Sequence, residues 1–179
     1  MDTLFSSRSV WTMIHGVVLG GASMMALAAG LFSLWAMRTA DAATVAVERQ
    51  SRHLAWLTAL TAVSLWLTVL VGTYISFPPY RTTPPEGVTD LSRYPRSLLQ
   101  STPDTAWLHS FAMEIKEHVP WIAAMLATAV AFVAMRYRSR LLSDVRLNRM
   151  ATALLAICFV LVSVVALLGL LINKVAPLD

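Results

Sequence analysis

Long apolar stretches, separated by shorter polar segments, set the pattern of this chain. The predicted spans are about residues 10–37, 54–77, 108–135 and 150–173, close to the ~20 residues with which an α-helix crosses ~30 Å of hydrocarbon. None of them alternates apolar and polar positions with a period of two, as transmembrane strands do. The pattern predicts an all-α integral membrane protein, in which residues 1–179 form one domain, a bundle of four transmembrane helices.

Composition agrees with a membrane protein rather than a soluble enzyme. Of the 179 residues, 57% are hydrophobic and only 13% are charged, far from the average of soluble domains. The first apolar run is longer than the ~7 to 15 residues of a signal peptide, so we expect it to be retained. The one cysteine, Cys158, excludes internal disulfides and any metal site built on a cysteine pair.

Positive charge is concentrated between the third and fourth spans. The segment from Met135 to Met150 contains five arginines and one acidic residue, Asp144. By the positive-inside rule this short connection is cytoplasmic, which predicts a bacterial inner-membrane protein with both termini on the periplasmic side. We expect these arginines to meet anionic lipid head groups, and we expect no nucleic-acid binding.

The long second connection, residues 78–106, is rich in proline. Six of the eight prolines lie between Pro78 and Pro103, so we expect irregular structure rather than regular helix. A loop of this length is usually functional or a docking surface, here for a periplasmic partner such as a cytochrome c. Its cations are Arg81, Arg93 and Arg96.

Ionisable residues gather where the third span begins, in WLHSFAMEIKEHVPW (residues 107–121). Helical spacing places His109, Lys116 and Pro120 on one side, and a second set opposite them. That second set is Trp107, Phe111, Glu114, His118 and Ile122. Ionisable groups at the edge of a span indicate a functional site. The alternative is a solvated lead-in, in which Glu114 and His118 form an ordinary i,i+4 pair.

Two histidines suit a haem. His15 lies about one turn inside the first span and His118 near the start of the third, at similar depth on parallel helices. Two imidazoles so placed are the axial ligands that a six-coordinate haem b requires. His109 is a substitute ligand, and the three loop arginines Arg81, Arg93 and Arg96 are candidates to bind the propionates.

In outline, the chain resembles small bacterial four-helix b-type cytochromes and the four-helix membrane proteins associated with terminal oxidases and their assembly. The resemblance rests on Arg52-His53 at the opening of the second span, His118 in the third and the Arg136 to Arg149 hairpin. It covers the four spans and not the proline-rich loop. It implies haem ligation by His118 and His15. We therefore expect one haem b near the outer face and electron transfer between a quinol and a periplasmic acceptor.

Two other hypotheses use the same residues. Glu114 or Glu117, together with His118, would bind and deprotonate a quinol at the outer face. Alternatively, the chain is a non-catalytic accessory or assembly subunit of a respiratory or photosynthetic membrane complex, packed against other subunits. A metal ion other than haem iron is less favoured, because Glu114 and His118 offer only two ligands on one face.

Overall fold

The computed structural model describes residues 6–39 and 45–177, and within these ranges the chain forms helices and connecting turns, with no strand. Four helices are long and apolar enough to cross a membrane, which confirms the predicted four-helix membrane fold. They are Ser7–Met37, Glu48–Tyr80, Pro103–Arg136 and Val145–Val175, called here the first to fourth spans. Each is a few residues longer than its apolar run, because helix continues into the polar flanks.

Local sequence fixes where the third and fourth spans begin. Pro103 occupies the first turn of the third span, where its missing N–H costs no hydrogen bond. Asp144 caps the fourth span, because its carboxylate accepts hydrogen bonds from the backbone N–H groups of Arg146 (2.9 Å) and Leu147 (3.1 Å). Before that cap, a short helix, Arg138–Ser143, forms the arginine-rich hairpin.

The four spans form a closed ring. Each span packs against its neighbours in sequence, and the fourth returns to pack against the first. Polar side chains join adjacent spans: Ser23 and Ser64 share a hydrogen bond of 2.8 Å between their hydroxyls, and Trp66 Nε1 donates to Thr128 Oγ1 at 3.0 Å. In lipid, where apolar burial does not favour one neighbour over another, such bonds and close packing hold helices together.

Close packing of the first span on the fourth depends on Gly30. A Cβ atom at Gly30 would lie 2.7 Å from Leu155 Cδ2, and Leu155 is buried. We expect Gly30→Val to destabilise the bundle by about 1 to 3 kcal/mol through overpacking, seen as a lower thermal unfolding temperature in detergent. Gly21→Val is the matched control, because nothing lies within 4 Å of its Cβ position. Equal losses in both variants would contradict this packing.

Three of the spans contain a π-helical segment, at the end of the bundle where residues 81–102 connect the second and third spans. We call this the loop end, and the opposite end the hairpin end. The segments are Ile14–Gly20, Gly72–Ser76 and Leu108–Ala112. π-Helical turns are rare and occur often at functional sites.

The proline-rich connection covers the loop end. Contrary to the expectation of no regular helix, it contains a short one, Pro95–Gln100, with proline in its first turn. Leu99 from this helix is fully buried and packs in a cluster with Tyr80, Leu108 and Ile172. In the exposed part of the loop, Ser92 donates its backbone N–H to the Asp90 carboxylate at 3.0 Å, which holds the pKa of Asp90 below its usual value.

Candidate ligand site at the loop end

Four residues, one from each span, lie at a common distance from the hairpin end. Each is 19 or 20 positions from a polar or aromatic residue at that end: His15 from Trp35, Gly72 from His53, Lys116 from Arg136 and Gly169 from Arg149. Twenty helical residues rise about 30 Å, the thickness of the hydrocarbon core. If those reference residues lie at one edge of the hydrocarbon, the four residues lie at the other edge, at the loop end, and we call them the boundary layer.

His15 turns inward and lies against the second span. A Cβ atom at Gly72 would lie 2.6 Å from His15 Cε1 and 3.2 Å from each ring nitrogen, so only glycine leaves room for the ring. The backbone of Thr68, one turn away along the second span, also acts on the ring. His15 Nδ1 is buried and has no hydrogen-bond partner within residues 6–39 and 45–177, which in a native structure indicates a bound water, ion or ligand.

Lys116 occupies the equivalent position between the third and fourth spans. Its Nζ atom would lie 2.9 Å from a Cβ atom at Gly169, so the ammonium group rests on that glycine. Its charge acts on His15. Within the described ranges, no residue supplies Lys116 with a hydrogen bond or an ion pair. A charge at the hydrocarbon boundary is costly unless it is hydrated or bound to an acceptor.

A second polar group lies between the boundary layer and the loop. The hydroxyl of Tyr80, which is only 8% exposed, is 2.8 Å from His109 Nδ1. The charges of Arg96 and Glu117 act on both of these side chains. Arg96, predicted as a loop cation, is partly buried, and its Nε atom has no hydrogen-bond partner in the described part of the chain.

The other loop cations lie further out. Arg81 places its guanidinium 5.4 Å from the centre of the Phe77 ring, and Arg93 is exposed. The three arginines therefore do not converge on one point. The charge of Arg96 acts on both Tyr80 and His109, whereas that of Arg81 acts on His109.

The face of the third span that contains Glu114 and His118 points away from the bundle. Their side chains are 65% and 72% exposed, and Trp107 and Phe111 on the same face are exposed too. His118 Nδ1 bonds to the Glu114 carbonyl at 2.8 Å and lies 3.7 Å from its carboxylate. Glu114 and His118 share one face of the third span, as the spacing predicts. The face that points into the bundle is the opposite one, which contains Lys116.

The two predicted haem ligands are not brought together within one chain. Residues two apart on a helix point about 200° apart, so an inward Lys116 turns His118 outward, whereas His15 is inward. Residues 6–39 and 45–177 contain no group of three or more His, Cys, Asp or Glu side chains able to hold a metal ion.

Comparisons with known proteins were made at three levels. No family model, no curated protein and no solved structure matches this chain.

Proposed function

We propose that this chain is a quinone-binding subunit of a membrane electron-transfer complex, with the quinone head group held at the boundary layer. The proposal rests on one observation. His15 and Lys116 turn inward from the first and third spans at the same depth, and each keeps a nitrogen without a partner among the residues that the structure describes.

The depth and chemistry of the boundary layer fit a quinone better than a fully polar ligand. A long-tailed quinone keeps its tail among the acyl chains, so its ring reaches the place where the hydrocarbon ends. Its two carbonyl oxygens accept hydrogen bonds, and the Lys116 ammonium and the His15 ring can donate them. Ligand sites commonly have mostly apolar walls with a few such polar groups.

His15 also suits the proton chemistry of a quinol. Oxidation of a quinol releases two protons and two electrons, and imidazole accepts a proton near neutral pH. The electrons pass to a redox centre in another subunit of the complex. Tyr80 and His109, hydrogen-bonded to each other nearer the loop, lie where a proton would leave towards that side.

Haem b does not fit the same residues within one chain. The His15 ring packs against Gly72 inside the bundle, whereas His118 lies on the exposed face of the third span. We therefore assign no step of the mechanism to a haem. Glu114, on the exposed face, is not part of this proposal, whereas Glu117 remains beside the Tyr80 and His109 pair.

The arginine-rich hairpin also supports an orientation of the protein in the membrane. With the hairpin in the cytoplasm of a bacterium, the loop end and both termini face the periplasm. The boundary layer then opens towards the periplasmic leaflet, and residues 81–102 are available to a soluble acceptor such as a cytochrome c.

A non-catalytic accessory subunit is the second candidate. It is favoured by the exposed face of the third span, where Glu114 and His118 stand beside the aromatic residues Trp107 and Phe111. Polar groups on the outside of a span form bonds with neighbouring helices, so this face suits another subunit. The two candidates differ in whether the isolated chain binds a quinone.

Quinone binding separates the two candidates. We expect the protein in nanodiscs to bind decylubiquinone saturably, at one per chain, in isothermal titration calorimetry. His15→Ala removes one hydrogen bond and should weaken binding about 3- to 10-fold. His53→Ala, an exposed histidine at the hairpin end, is the matched control and should bind normally. Absence of saturable binding by the folded wild type would reject the quinone proposal in favour of an accessory subunit.

A further inference from the structure

The exposed face of the third span presents an ionisable pair close to the boundary layer. Glu114 and His118 lie two residues to either side of Lys116, so each is about 3 Å from that layer along the helix axis. Their side chains are 65% and 72% exposed. Among the residues that the structure describes, His118 is the one ion-pair partner of Glu114, with its Nδ1 3.7 Å from the carboxylate. An exposed carboxylate at this depth is costly unless it is hydrated or bound to a cation.

The His118 ring is held as a metal ligand is held. Its Nδ1 lies 2.8 Å from the Glu114 carbonyl oxygen, and because a carbonyl only accepts, Nδ1 carries the proton and donates it. The neutral ring then has its free lone pair on Nε2, an atom that commonly binds metal ions. A hydrogen bond from the other ring nitrogen to a carbonyl or carboxylate is the usual support of such a ligand.

The spacing of Glu114 and His118 also suits a metal ion. Side chains at positions i and i+4 of a helix are neighbours on one face, and zinc proteases bind their metal with two histidines at this spacing. Imidazole nitrogen and carboxylate oxygen are both ligands of Zn²⁺. One helix therefore provides two adjacent ligands.

One chain supplies only half of a zinc site. A structural zinc ion takes four ligands, whereas the described residues of one chain nowhere bring together three His, Cys, Asp or Glu side chains suited to a metal. A second copy provides the same pair at the same depth, because the positive-inside rule gives every copy one orientation. A twofold axis along the membrane normal brings the two pairs together.

We propose that two copies of this chain associate through the exposed face of the third span and bind one zinc ion, with Glu114 and His118 of each copy as its four ligands. The charges match, because two carboxylates carry two negative charges, two neutral imidazoles carry none and Zn²⁺ carries two positive charges. The completed site has no net charge where the hydrocarbon ends. Phe111 and Ile122, exposed one turn to either side of the pair, provide apolar contacts between the copies.

The zinc site is separate from the proposed quinone site. It uses the exposed face of the third span, whereas Lys116 lies on the opposite face, and the two sites share no residue. We expect His118→Ala to bind decylubiquinone as the wild type does. Either proposal can therefore fail without the other.

Zinc stoichiometry and molecular mass test the proposal. The full chain, purified in detergent without an affinity tag, is titrated with ZnCl₂. Bound zinc is measured by inductively coupled plasma mass spectrometry and molecular mass by sedimentation velocity. We expect one zinc per two chains, and a shift from monomer to dimer that a chelator reverses. Mg²⁺, which prefers six oxygen ligands, should not cause the shift.

Substitutions at the two ligands assign the site. Loss of an outer hydrogen-bond partner alone costs a metal site about 10- to 100-fold in affinity. His118→Ala removes two of the four ligands of the dimer, so zinc affinity should fall about 100-fold or more and the zinc-dependent dimer should disappear. Glu114→Gln keeps the side-chain size and should cost about tenfold or more. The matched controls are His53→Ala and Glu86→Gln, at exposed residues outside the site, which should bind zinc normally.

Three results would overturn the proposal. One zinc per chain without dimer formation would show a site built by a single copy. Undiminished zinc binding by His118→Ala would place the ion elsewhere on the protein. A folded wild type that binds no zinc would leave the exposed face to a different subunit.

Discussion

Replacing Lys116 with methionine is expected to weaken decylubiquinone binding about 10- to 100-fold. The change keeps the length of the side chain and removes the ammonium group. A hydrogen bond from a charged donor contributes about 1.5 to 3 kcal/mol, and each 1.4 kcal/mol is a factor of ten in affinity. Calorimetry with the protein in nanodiscs measures the loss.

Stability distinguishes this role of Lys116 from a structural one. Because Lys116 has no counter-charge among the described residues, methionine should leave the unfolding temperature unchanged or raise it. We therefore expect Lys116→Met to lower quinone affinity without lowering stability. If the role of Lys116 were structural, both quantities would fall together. Lys174→Met, at an exposed lysine of the fourth span, should alter neither quantity. A parallel fall of stability and affinity in Lys116→Met would contradict the binding role.

Replacing Gly72 with alanine is expected to weaken quinone binding about 3- to 10-fold or more, although the change removes no polar group. The new Cβ atom would lie 2.6 Å from His15 Cε1, so the imidazole ring has to move away from position 72. We expect affinity to fall at least as far as in His15→Ala, and the overpacked bundle to lose about 1 to 3 kcal/mol of stability. Calorimetry and thermal unfolding measure the two effects.

Gly16→Ala is the matched control, because it also lies in a π-helical segment and nothing is within 4 Å of its Cβ position. Alanine is a better helix former than glycine, so this variant should be as stable as the wild type or more so. In the double variant His15→Ala with Gly72→Ala, the clash is gone, so stability should recover while affinity stays as low as in His15→Ala. A Gly72→Ala protein that binds normally would show that the His15 ring is not needed.

The four spans were predictable from the sequence because hydrocarbon thickness fixes helix length. The inward face of the third span was harder, since lipid is as apolar as the bundle interior and hydrophobic periodicity does not say which face is buried. One available signal was the series Ala112, Ala123 and Ala127, which are buried and share their side of the helix with Lys116. Small residues mark contact faces in membranes.

The packing positions of the His15 and Lys116 side chains were not predictable, because they depend on contacts between spans. Gly72 and Gly169 are separated from their partners by more than 50 residues in sequence. Nothing in their local sequence indicates what will lie against them. The depth of the boundary layer, in contrast, follows from counting 20 residues from the polar hairpin end once the four spans are known.

Photolabelling with an azidoquinone tests the head-group position most directly. The protein in nanodiscs is irradiated with the probe, digested and mapped by mass spectrometry, with and without excess decylubiquinone. We expect suppressible label within residues 11–20 of the first span and 112–120 of the third, on either side of the boundary layer. Suppressible label confined to the hairpin end, or label that excess decylubiquinone does not reduce, would contradict a quinone site at His15 and Lys116.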